Sequence, residues 1–327
     1  MRNEVTDTSW PGANEAEGID RGAVLVAVNP ILYHYPMSPY SEKVRLAMGL
    51  NNQAWTSVVV PAQPPRRSLD DLVGGYRRIP VLQIGAQFYC DSQLAFEALS
   101  GTHSDVGALD ADDEALRRWA EEEIFFAVIA AAPPLKVLKY LLGQLGLVGI
   151  ARFVRDRSRM MRDATVTVKA SAVAAAGIAE YVFHVDRLLS ARPYLSGSRP
   201  GYLDLCCYHP LWMALAVDQG GAADWPLRVQ EWITHMGELS HGAAASASRR
   251  SIAEAITSDQ VEISGEVSMP HHYGETVAVA PLDYARDETI GELIMLNDER
   301  IVIRRRFDTE HPIYLHFPRR GFEIRGR

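Results

Sequence analysis

The 327-residue chain has only three cysteines, Cys90, Cys206 and Cys207. Three thiols, two of them adjacent, give no disulfide framework and no metal set at ligand spacing. Cys206 and Cys207 sit in an apolar segment and read as packed thiols rather than a redox pair. Positive charge is also scarce: 33 Lys and Arg face 41 Asp and Glu, and the net charge of −8 argues against a general nucleic-acid binder. A secretory signal is missing, and residues 1–29, with Glu4, Asp7, Glu15 and Glu17, read as a mobile acidic tail. The most apolar run, Ile124 to Ala132, stops at Pro133-Pro134, short of the roughly 20 residues that a membrane span needs. These absences point to a soluble chain of the reducing cytoplasm, with no metal, no membrane and no nucleic-acid partner.

What is present is ordinary in bulk, 47% hydrophobic and 23% charged, and long enough for two domains and a small third. Residues 30–103 alternate strand and helix signals. Ile31 to Tyr35 reads as a strand, Ser41 to Leu50 as a helix, Trp55 to Val60 as a second strand and Asp70 to Gly74 as a short helix. A strand pair follows over Pro80 to Tyr89, and Asp91-Ser92 caps an amphipathic helix over Gln93 to Leu99. The order βαβ-α-ββα makes a compact α/β layer. Residues 111–255 change to long helices: Asp112 to Ala132, Leu135 to Leu147, Arg152 to Ala191, Gly201 to Val217 and Pro226 to Leu239. Residues 261–327 shift again to short runs of period two separated by turn residues, a small β-meander module. Within it, Arg304-Arg305-Arg306 reads as a solvated strand edge. His271-His272 has no carboxylate or thiol at ligand spacing.

Chemistry concentrates at Ser38-Pro39-Tyr40-Ser41. This is the frame of a dithiol redox loop with an oxygen where each sulfur would sit, placed between a strand and a helix start. A hydroxyl there lies beside free backbone N–H groups and the positive end of the helix dipole, an environment that suits an anion such as a thiolate. With no cysteine in the loop, the sulfur has to arrive on a ligand.

The run Leu32 to Arg45 resembles the first strand and helix of serine- and cysteine-type glutathione transferases. Tyr76-Arg77-Arg78-Ile79-Pro80-Val81-Leu82 is similar to that superfamily's cis-proline segment, and Cys90-Asp91-Ser92-Gln93 to its acid–serine pair. Pro193-Tyr194-Leu195-Ser196-Gly197 with Leu203-Asp204 resembles its buried capping element, although Gly201 stands where a Ser or Thr is usual. The resemblance covers residues 30–240 and implies a thioredoxin-like domain followed by a helical domain; the β-rich tail is outside the usual plan. It implies glutathione as co-substrate, with Ser38 facing the sulfur and Tyr35 as the alternative donor. Ile79 would pair its backbone with the cysteinyl part at a cis Pro80, and Asp91 and Ser92 would take the γ-glutamyl end. Arg78 or Arg77 would attract the glycyl carboxylate, and Tyr40, Phe125 and Trp212, with Phe126 and Tyr140, would wall the acceptor pocket. It also implies a homodimer through the N-terminal layer and the first long helices.

A free thiol titrates near 8.5, and lowering that by about two units corresponds to roughly 2.7 kcal/mol of thiolate stabilisation, within reach of one hydroxyl and a helix N-terminus. The expected activity is therefore attack of a glutathione thiolate on an apolar electrophilic small molecule. The alternatives are a maleyl-type cis–trans isomerase that returns the thiol, and a non-catalytic ligand carrier or scaffold. Thiol–disulfide exchange would need a cysteine where Ser38 stands.

Overall fold

The computed structural model describes residues 29–100, 109–166, 169–258 and 263–327. The expected N-terminal tail lies outside them except for Asn29. The α/β layer begins with strand β1 (Ile31–His34), helix α1 (Pro39–Leu50), β2 (Ala54–Val59) and α2 (Asp70–Val73). It continues with β3 (Val81–Ile84), β4 (Gln87–Tyr89) and α3 (Ser92–Ser100). Local chemistry sets the helix starts. Ser38 Oγ accepts from Ser41 N at 3.1 Å, with Pro39 at the first helical position. Asp91 Oδ1 accepts from Gln93 N at 2.7 Å ahead of α3.

The helical domain holds α4 (Ala111–Arg118), a π-helical turn (Trp119–Ile124), α5 (Phe125–Ala131), α6 (Pro134–Met160), α7 (Ser171–Leu189), α8 (Tyr202–Val217) and α9 (Leu227–Gly237). The helix expected over Arg152 to Ala191 is therefore two, since α6 ends at Met160 and α7 starts at Ser171. The capping element forms around Asp204, which is fully buried. Its carboxylate accepts from Leu195 N, Ser196 N, Gly201 N and Trp232 Nε1 at 2.8 to 3.1 Å. Gly201 has a steric reason: a Cβ there would lie 2.7 Å from the Ser196 side chain.

The C-terminal strands are not a separate module. After β5 (Ala243–Ser246) and α10 (Arg249–Ser258) come β6 (Thr276–Pro281), β7 (Thr289–Leu296), β8 (Arg300–Arg306), β9 (Pro312–Pro318) and β10 (Phe322–Gly326). They extend the N-terminal sheet to ten strands in the order β10-β6-β7-β8-β9-β4-β3-β1-β2-β5. The joint is a parallel pairing of β4 with β9, Gln87 opposite Tyr314 and Tyr89 opposite His316. At the far side β5 pairs parallel with β2. Arg304 to Arg306 thus lie on an interior strand, paired on one side with β7 and on the other with β9. Arg304 bonds Glu292, and Arg305 donates to the Ile290 carbonyl.

One hydrophobic core runs under both parts of this sheet. Tyr33, Leu69, Val81 and Phe88 share it with Val277, Leu293, Ile303 and Phe317, and Ile252 and Ile256 of α10 close it. A second core lies within the helical domain, centred on Ile124, Tyr181, Leu203 and Trp232. Because the first core is shared, Phe317→Ala is expected to destabilise the whole α/β layer by about 3–5 kcal/mol. Urea unfolding followed by tryptophan fluorescence should show one shifted transition; an unshifted main transition with early loss of the C-terminal strands contradicts the shared core.

Candidate functional site

A cleft of about 790 Å³ opens where the α/β layer, the helical domain and the C-terminal strands meet. Seven residues singled out in the sequence line it: Tyr40, Arg78, Ile79, Pro80, Asp91, Ser92 and Phe126. The Ile79–Pro80 bond is cis. The helical domain contributes Glu114, Arg117, Glu121 and Phe126, and the C-terminal region adds Asp283, Tyr284, Arg320 and Phe322.

The rest of the expected constellation lies elsewhere. Ser38 is 2% exposed and is not among the lining residues, although Tyr40, two positions on, is. Its Oγ accepts the α1 capping bond, which leaves the hydroxyl proton to be donated. The Tyr35 hydroxyl is met by Arg157 of α6 at 3.4 Å and does not line the cleft. Phe125 sits behind the wall, packed on Tyr40 at 5.0 Å and beside Phe126 at 5.1 Å. Trp212 packs on the helical core because α8 turns it that way, and Tyr140 is also absent from the lining.

Arg78 departs most from expectation. Its guanidinium is ion-paired with Asp283, donates to the Tyr284 carbonyl at 2.5 Å and stacks over the Tyr284 ring at 4.1 Å. Asp283 thus stands in the position expected for a ligand carboxylate. Arg77 points away, paired with Asp156 of α6 and with Asp287. Nothing in the sequence marks Asp283 and Tyr284 as wall residues, since they lie about 200 positions from their partner in a stretch without a motif.

Beside the cleft the two domains are joined by a charged cluster that the sequence did not announce. Lys43 of α1 is buried and bonds Glu121 Oε1 at 2.6 Å and the Tyr202 hydroxyl at 3.2 Å. Arg117 reaches the other Glu121 oxygen at 2.5 Å and Glu114 at 2.7 Å. Glu121 lies in the π-helical turn, whose widened backbone also lets the Glu121 carbonyl accept from Tyr40 Oη at 3.2 Å. Burial works against charge on Glu121, but Lys43 and Arg117 outweigh it and hold its pKa at about 2. Burial likewise opposes charge on Lys43, and Cys206 and Glu121 nevertheless hold it at about 12. Asp91 is shifted the other way, upward, by burial, against the pull of Lys43. His209, stacked 4.7 Å from Tyr40, is kept neutral by burial, with its pKa lowered to about 4. All three cysteines are buried and unpaired, and among the described residues no group of His, Cys, Asp or Glu is placed to hold a metal.

A family profile described as the glutathione S-transferase N-terminal domain matches residues 32–106. A GST-like protein from Pseudomonas syringae is 25% identical, with a TM-score of 0.70, over 91% of this chain and 100% of its own. Residues 32–106 carry a glutathione S-transferase N-terminal domain, and the chain as a whole shares the fold of a GST-like protein. A glutathione transferase from Phanerochaete chrysosporium shares the fold at a TM-score of 0.52 and 14% identity, over 64% of this chain and 96% of its own. The P. syringae match therefore extends over much of the chain that the second leaves uncovered. No curated protein sequence matches.

Glu121, bonded to Lys43 of α1 and to Arg117, is the interdomain anchor. Glu121→Leu leaves Lys43 buried with only a phenol, and the expected loss is about 3–5 kcal/mol; the double variant with Lys43→Met should recover most of it. The depressed carboxylate stabilises the fold above its ordinary pKa of 4.5, and that contribution is lost as pH falls towards about 2. The raised lysine stabilises below its ordinary 10.5, with loss as pH rises through about 12. Denaturation midpoints across pH, compared between parent and Glu121→Leu, check both limbs.

Proposed function

We infer that the chain is a glutathione-dependent transferase that seats glutathione in the cleft and stabilises its thiolate against a neutral or cationic apolar electrophile. The observation that carries this is convergence. The Ile79–Pro80 segment, the Asp91-Ser92 start of α3 and Tyr40 of α1 are separated in sequence and line one cleft of a glutathione transferase N-terminal domain. Glutathione supplies the sulfur; the chain supplies the means to hold and ionise it. Ser92 and the α3 N-terminus suit the γ-glutamyl carboxylate, and Asp91 suits its ammonium. The Ile79 backbone offers a strand-like partner to the cysteinyl unit. Ser38 keeps a hydroxyl proton for the sulfur at the positive end of α1.

The acceptor class follows from charge. Eight carboxylates and three guanidinium groups line the cleft, and Arg78, Arg117 and Arg320 are each already paired with carboxylates. A dicarboxylate acceptor of the maleyl type meets repulsion there, which weighs against the isomerase reading. A carrier without turnover is the second reading, favoured by the burial of Ser38 and the engagement of Arg78. The buried, unpaired thiols favour a reducing cytoplasm. A homodimer through the first long helices belongs to the same proposal, with the change that β4 is covered by β9 and offers no edge.

Calorimetry with millimolar glutathione should show binding, and Ser38→Ala should leave it nearly intact while lowering turnover of a neutral electrophile at least about tenfold. Unaltered kinetics would move the donor role to Tyr35, binding without any turnover would establish the carrier, and absence of binding would end both readings. Glutathione should be consumed, not regenerated. At low salt kcat/KM for a dicarboxylate acceptor should fall at least about tenfold below that for a neutral one of similar size, and the gap should narrow as salt rises.

A further inference from the structure

Helix α6 is inverted in character: it is apolar, yet none of its 27 residues is buried. An 18-residue window within it has a mean hydropathy of 1.5, so by length and composition alone it could cross a bilayer. The expectation that the most apolar run, Ile124 to Ala132, is too short for a span did not anticipate this longer helix. Leu135, Leu138, Leu142, Leu147, Val148 and Val154 are between 45% and 81% exposed. A monomeric soluble protein rarely leaves such a surface uncovered.

We propose that α6 docks on the surface of an anionic lipid bilayer, lying in its plane. Charge identifies the occupant. Residues 134–160 carry six basic side chains and one acidic one, in a chain whose net charge is −8. Lys136, Lys139, Arg152 and Arg155 are exposed among the apolar residues. The single acid, Asp156, is turned inward and paired with Arg77. The charged residues on the outward side of α6 are therefore basic and set among apolar ones, and of the four just named only Lys136 is paired, with Asp218 at one end, which is the pattern of a helix seated among acidic headgroups. A second copy on this face fits worse, since a two-fold contact through it sets lysine and arginine rows against each other without a counter-charge; the proposed homodimer is thereby confined to the N-terminal layer and the helices α4 and α5.

The helix lies on the bilayer and does not pass through it. Gly146, with φ +65° and ψ 173°, breaks it into two parts, each about half the length needed to cross roughly 30 Å of hydrocarbon. Both ends are also fastened to the same body. Lys136 bonds Asp218 of the helical domain at 2.5 Å, and Arg157 donates to the Ala62 carbonyl at 2.9 Å. The two ends thus stay on one side.

The test is flotation of the full-length protein with two kinds of vesicle, pure phosphatidylcholine and phosphatidylcholine containing about one quarter phosphatidylglycerol. Binding is expected to the second, at least about tenfold stronger than to the first at low salt, and weakening as salt rises. The double variant Leu138→Glu/Leu142→Glu should abolish it, and Lys139→Glu/Arg152→Glu should reduce it, with circular dichroism and glutathione-dependent turnover unchanged. No binding to anionic vesicles, or binding that survives both variants, overturns the proposal. So does a vesicle-inert protein whose dimer, seen by light scattering, falls apart in the leucine variant; that result assigns the face to a second copy.

Discussion

The parallel pairing of β4 with β9 is the constraint on which the rest of the molecule depends. In an isolated α/β layer β4 would present unpaired N–H and C=O groups, an open template for aggregation. Here Tyr314 N donates to the Ala86 carbonyl and Cys90 N to the His316 carbonyl, each at 2.9 Å, extending the seam beyond the strand itself. Tyr89 and His316 stack across it at 4.7 Å, and His316 also bonds Gln87 within the sheet. Once that seam forms, β6 to β10 have a sheet to extend and a core to enter, and no core of their own is required.

The same seam brings the loops of the added strands to the cleft. The segment after β6 carries Asp283 and Tyr284 to Arg78, and the turn between β9 and β10 carries Arg320 and Phe322. Tyr284 in turn meets Phe126 of α5 edge-on at 5.6 Å. The cleft is therefore walled by three parts of the chain, one of them the C-terminal strands and their loops. Arg78 illustrates the consequence: its guanidinium secures the wall through Asp283 and Tyr284.

Much of this was legible in the sequence because it rests on local signals. Ser38-Pro39 marks a capped helix, Ile79-Pro80 a turn into a strand and Asp91-Ser92 another cap, and these are short-range effects that survive translation into three dimensions. The packed state of Cys206 and Cys207 follows from their apolar surroundings in the same way. The failures share a different cause. Alternation shows that residues 276–326 form strands but not which edge they join, so the β4–β9 seam and the interior place of Arg304 to Arg306 were out of reach. Ala243–Ser246 carries no β-branched residue, and it is a strand only because β2 offers an edge. Asp283 and Tyr284 have no motif, and their role exists only through tertiary contact. α6 was split and mixed with α7 because its charges, clustered towards its end, mask an apolar face that periodicity alone assigns to a core.

Charge segregation links these features. The cleft is dominated by carboxylates, whereas α6 is a cationic strip with no exposed acid. At physiological ionic strength such fields reach only about 8 Å, so the two regions act independently on what approaches each of them. Away from the segment proposed to hold glutathione, the field of the cleft favours cations over anions, and that of α6 favours anions. They are nonetheless mechanically close, because Asp156 at the end of α6 holds Arg77, the residue next to Arg78, and Arg157 reaches Tyr35. A surface that engages α6 would therefore bear directly on the segment proposed to seat glutathione, without needing any longer path through the core.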